Sequence, residues 1–180
     1  MDESSSSPIA DFSTCHVGIL AQLDRLSGLP ALLDAARQAR QIAGDTAAFF
    51  RDVVLEHHGQ EESELFPAVL ASAHKGEERD RVAAIVQRLT DEHRQIETAF
   101  KALQSGLKAA AKGADAALDA AAVSALVQRY QRHARFEEES FLPLSQAILG
   151  RDSNHLAALG MSLHLRHAVP SALQRFGSGV

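Results

Sequence analysis

The chain has 180 residues with a formal charge of −5, enough length for one full domain with a proper core and an ordinary charge for solubility. No basic stretch points to nucleic acid, and no apolar run approaches the roughly 20 residues of a membrane span. Hydrophobic residues make up 46% of the chain but aromatics only 5%, with no Trp, one Tyr and much alanine, so the composition predicts an all-α protein with thin, Ala-rich packing between helices. The single cysteine, Cys15, excludes an internal disulfide and a thiolate metal cluster within one chain. The acidic, polar start lacks the layout of a signal peptide. Together these features lead us to expect a cytoplasmic protein.

In chain order, residues 1–10 read as a Ser-rich disordered tail. A first helix is expected from about Asp11 to Ser27, with Ile9, Phe12, His16, Ile19, Leu20 and Leu23 sharing a face. The sequence Ser27-Gly28-Leu29-Pro30 is expected to break it, a shorter helical stretch leading on to Ala43. A second helix is expected from about Thr46 to His74, with Pro67 kinking or dividing it, and a third from Glu77 to Lys108. After a loop containing Gly113, a fourth runs from about Leu118 to Leu149. Residues 11–150 thus form a four-helix bundle, and an amphipathic stretch within residues 151–180 is expected to pack on it as an extra C-terminal helix.

Three His-x-x-x-Glu pairs lie in these helices: His57/Glu61, His93/Glu97 and His133/Glu137. A spacing of four puts both side chains on one helix face, about 5–6 Å apart at Cβ. A fourth histidine, His16, stands alone upstream. The pattern is a repeat. His16 and His93 are 77 positions apart, and His57 and His133 are 76 apart. Each of the two later motifs continues with an apolar pair and then a proline, Leu65-Phe66-Pro67 and Phe141-Leu142-Pro143. Two helical hairpins of one plan make a bundle in which each supplies half of a two-metal site. Buried carboxylates need a cation to offset the cost of leaving water. Mixed imidazole and carboxylate donors suit Fe, Mn or Zn. His58/Glu62 has the same spacing as its neighbour, but a step of seven back from His58 reaches Arg51 and from His57 reaches Phe50. This phase assigns His57/Glu61 to the core and His58/Glu62 to the surface or to the outer side of the ligands.

These motifs resemble the hemerythrin-like, or HHE cation-binding, domains over about residues 12–149. The resemblance implies an up-down-up-down four-helix bundle around an oxo- or hydroxo-bridged non-haem di-iron centre, with other divalent metals (Zn, Mn) as substitutes. It implies His16, His57, His93 and His133 as imidazole ligands and Glu61 and Glu137 as bridging carboxylates. O2, peroxide or nitric oxide would be the small-molecule ligand, for sensing, storage, or iron and oxidative-stress handling. Oxygen-carrying hemerythrins have a fifth histidine where this chain has Glu97. A third carboxylate there would favour ferric iron over reversible O2 carriage. The alternatives are a di-iron peroxidase or oxidase, and a metal-free or zinc-bound helical interaction domain.

Overall fold

The structure, a computed structural model, describes residues 8–152, with side chains from Cys15 onward. The Ser-rich tail up to Ser7 and the expected C-terminal helix lie outside the described residues. Among these there is helix and no strand, and no helix is long and apolar enough to cross a membrane. The α-helices are α1 Pro8–Phe49, α2 Leu55–Gln60, α3 Phe66–Ser72, α4 Glu77–Ala111, α5 Ala120–Phe136 and α6 Leu142–Leu149. Wider π-helical turns, Phe50–Val54, Glu61–Leu65 and Glu137–Phe141, join α1 to α2, α2 to α3 and α5 to α6 without a break.

The expected break at Gly28-Leu29-Pro30 does not occur. Residues 8–72 form one helical rod, because neither glycine nor proline there leaves helical geometry; the positive-φ residues described are Gly76 and Gly113. The described residues therefore build three long columns where the sequence suggested four. The rod turns at Gly76 (φ 96°), a conformation open to glycine, and α4 runs back along it. Asp119 caps α5, its carboxylate accepting from the Ala121 amide at 2.9 Å. Arg151 bonds Glu78 at 2.9 Å, tying the end of the third column to the start of α4.

Pro67 and Pro143 end up where proline chemistry permits, whereas Pro30 lies in the interior of α1. A helix-interior proline removes one amide bond and collides with the carbonyl four residues back. Pro67 and Pro143 each sit in the first turn of α3 and α6, just after a π-turn has widened the backbone. The helix continues where a kink or division was expected at Pro67.

Two apolar clusters hold the columns together. One comprises Phe66, Val69, Ala73, Val82, Leu89, Phe141, Ile148 and Leu149; the other comprises Ala43, Ile96, Phe100, Leu103, Leu107 and Leu126. Along the columns the histidines and glutamates lie between them. In the first cluster Phe66 and Phe141 meet edge to face with centroids 5.1 Å apart, both fully buried. Phe141→Ala should lower unfolding stability by about 3–5 kcal/mol through lost burial and the cavity left behind, measured by thermal or denaturant unfolding.

Candidate metal centre

The π-turn at Phe50–Val54 decides which histidine faces the core. It inserts one residue into the helical phase, so the inward positions run Phe50, Val54, His58. Phe50 stacks on Phe100 at 4.2 Å, and Val54 and His58 are buried. A seven-residue step holds only for unbroken α-helix. Where the sequence placed His58 at the surface or on the outer side of the ligands, it lies in the interior, 1% exposed.

His57 sits at the edge, its side chain 36% exposed, yet it keeps the expected contact: Nε2 is 3.5 Å from Glu61 Oε1. The repeated pair behaves alike, with His133 Nε2 3.5 Å from Glu137 Oε1. His133 is buried and His57 is only partly so, since among the described residues no column covers His57 on this side. Each pair is followed by a π-turn starting at its glutamate, so the 76-residue repeat extends to backbone geometry.

Donor atoms converge in two groups, His58 with His93 and His133, and His57 with Glu61 and Glu137; within each, the atoms lie within 4.8 Å of one another. The groups adjoin: His93 Nε2 is 3.3 Å from Glu61 Oε2 and 4.0 Å from Glu137 Oε1. The His58 and His93 rings stack at 3.9 Å, and His133 stands edge-on to His93 at 4.8 Å. Nε2 of His58, His93 and His133, with Glu61 Oε2 and Glu137 Oε1, is buried without a hydrogen-bond partner. Native proteins rarely leave such atoms unpaired, and never cheaply. Their convergence is what a bound cation needs, so the residues fit a metal site.

The electrostatics agree. Burial and the neighbouring imidazoles hold His58 down at about 3, leaving it a neutral donor. Burial, with Glu61 beside it, pushes Glu137 up to about 9. Burial likewise lowers His133, against the pull of Glu92. Burial opposes charge on His93 too, but Glu61 and Glu62 outweigh it and raise its pKa. Without a cation, the pocket resists charge on His58, His133 and Glu137.

The outer ring nitrogens face a set of carboxylates. His93 Nδ1 meets Glu62 Oε1 at 2.8 Å, and His133 Nδ1 meets Glu92 Oε2 at 3.1 Å. Glu97 Oε1 lies 3.6 Å from His58 Nδ1, too far for a hydrogen bond, and belongs to neither donor group. Arginines hold these carboxylates in turn: Arg88 donates to Glu92 at 2.8 Å, and Arg94 donates to Glu97 at 3.1 Å and to Glu62. Carboxylate–imidazole pairs of this kind fix the tautomer and ring orientation of metal-binding histidines. Glu92 and both arginines do not stand out in the sequence, since cross-helix partners carry no fixed spacing.

His16 lies on the exposed part of α1 and in neither donor group. The structure thus brings together His57, Glu61, His93, His133 and Glu137 from the expected set. It adds His58, sets Glu97 on the outer side of His58, and leaves His16 apart.

A cavity of about 270 Å³ opens beside the donors. His57, Glu61, Tyr130, Ala134, Glu137 and Leu142 are among its lining. Burial, Glu137 and Glu61 push the Tyr130 phenol up to about 12, so it stays a neutral donor.

Glu62→Gln and Glu92→Gln should each weaken metal affinity by about 10–100-fold with little change in helix content, measured by metal titration beside circular dichroism.

Neither the curated proteins nor the solved structures give a match to this chain. A family model does: Hemerythrin HHE cation binding domain, over residues 7–145. That match spans most of the chain and contains every donor described above, so the chain belongs to the hemerythrin HHE cation-binding family.

Proposed function

We propose that this chain holds two non-haem irons at its centre and binds O2, peroxide or nitric oxide beside them, for sensing, storage, or iron and oxidative-stress handling. One observation carries the reading: the buried, unpaired inner atoms of His58, His93, His133, Glu61 and Glu137 lie in two adjoining donor groups. In this reading His58, His93 and His133 would hold one iron, and His57, Glu61 and Glu137 the other. His16, from a fourth column completing an up-down-up-down bundle, adds the remaining imidazole. Glu97 faces the outer side of His58 without bonding it. Zinc or manganese would fit the same donors.

Bound iron supplies a redox-active coordination position for a small ligand. The protein does the rest. Glu62 and Glu92 hold the His93 and His133 rings in place through their outer nitrogens. Leu65 and Leu142 line the cavity and limit the water in it. Tyr130, neutral at physiological pH, offers its hydroxyl to whatever occupies the cavity. The single exposed thiol, Cys15, suits a reducing compartment such as the cytoplasm. The same open cavity supports a second reading, a di-iron peroxidase or oxidase, which sustained turnover with peroxide would favour.

Aerobic loading should give about two irons per chain, near-ultraviolet iron bands, and a thermal midpoint that falls on chelation. His93→Ala should lose most of that iron. A wild-type protein that takes up none would sink the proposal. Tyr130→Phe should keep the iron and speed nitric oxide release by roughly 5–30-fold, the loss of one hydrogen bond, followed by stopped-flow absorbance.

A further inference from the structure

From Cys15 to Ile42, α1 is exposed on every side. This stretch is nonetheless built for burial. His16, Ile19, Leu23, Leu26 and Leu33 fall at the alternating spacing of three and four, with Pro30 in the series, that marks a helix packed on other helices. Each of these leucines and Ile19 is more than half exposed. An apolar seam of this length on a lone helix is uncommon on a monomer's surface and marks an interface.

Among the described residues the bundle has a matching gap. Its open side lies between the rod around His57–Leu65 and the α5–α6 column, where the cavity opens. His57 is half-buried there while its repeat equivalent His133 is fully buried. Val123 and Val127 continue the face of Tyr130 and Ala134 at helical spacing and are exposed, as is the cavity-lining Leu142. The chain's own α1 does not fill this gap, because it runs on without a turn into the rod and leads away from the bundle beyond Ala43.

We propose that two copies of the chain exchange their N-terminal helices, so that α1 of each fills the open side of the other's bundle and the partner's His16 reaches the His57–Glu61–Glu137 donors. A two-fold axis makes the exchange reciprocal and sets the two rods antiparallel. With the partner's His16 level with His58, the axis crosses the rods midway between those positions. That midpoint falls in the exposed stretch before Ala43, so the two bundles do not overlap. The exchange stands on the exposed seam and the open side alone; the role given to the partner's His16 rests on the metal reading above.

Light scattering of the full chain should give a mass of about twice 19.3 kDa, and a monomer would overturn the exchange. Ala134→Cys, paired with the native Cys15, should give a covalent dimer on a non-reducing gel. A disulfide confined to the monomer would place α1 on its own bundle, and a dimer without this cross-link would place it elsewhere; either overturns the exchange. The ligand role is tested separately, by co-expressing differently tagged His16→Ala and His93→Ala chains. Hybrid dimers should regain one intact iron site of two, while either homodimer has none. A cross-linked protein whose hybrids regain no iron overturns the role of the partner's His16. Wild-type protein that takes up no iron overturns the metal reading and leaves the cross-link result untouched.

Discussion

Five buried polar atoms in two adjoining groups impose the central constraint on this protein. Two glutamates and three histidines sit in an interior closed at both ends by leucine, isoleucine, valine and phenylalanine. The outer nitrogens of His93 and His133 have carboxylate partners, and the inner atoms of all five side chains have none. Carboxylates in such a place cost several kcal/mol each unless a cation offsets the loss of water. The centre is therefore a place where apolar packing gives way to ligand chemistry, and the two phenylalanines Phe66 and Phe141 wall it off at one end.

Much of the positioning falls to α4. Within ten residues it carries Arg88, Glu92, His93, Arg94 and Glu97. His93 points inward, and the charged residues spread to either side. Glu92 crosses to His133, Glu97 faces His58, and Arg94 draws in Glu62 from the rod behind His93. The exposed ion pairs add little stability by themselves. Their effect is geometric: a carboxylate held by arginine has little freedom, and an imidazole held by that carboxylate has less.

The π-turns are the backbone counterpart. A wider turn shifts the helical phase, and such turns are frequent at functional sites. Two of them begin at Glu61 and Glu137 and make room for the prolines that follow. The third, at Phe50–Val54, has no equivalent in the second half of the repeat, and it brings the additional histidine, His58, inside.

Local spacing was enough to find much of the centre. His57/Glu61 and His133/Glu137 keep the one-face contact that a step of four dictates, since four residues of α-helix return to the same side whatever surrounds them. The helical class and the columns from Glu77 and from near Leu118 were legible for the same reason: composition and apolar period are local properties. What depends on distant packing was not. His58 looked like a surface residue because a single inserted residue, invisible in the sequence, changes the phase. Gly28 and Pro30 looked like a break because local propensity favours one, yet α1 continues through both with Pro30 in its interior. Glu92 and Glu62 could not be matched to their histidines, nor Glu97 set on the outer side of His58, because those contacts cross between columns 30 to 40 residues apart in sequence. The sequence by itself determined which residue types could bind a cation and on which helices; only the tertiary structure decided which of their atoms face the centre, because that depends on helix phase and on the neighbouring columns.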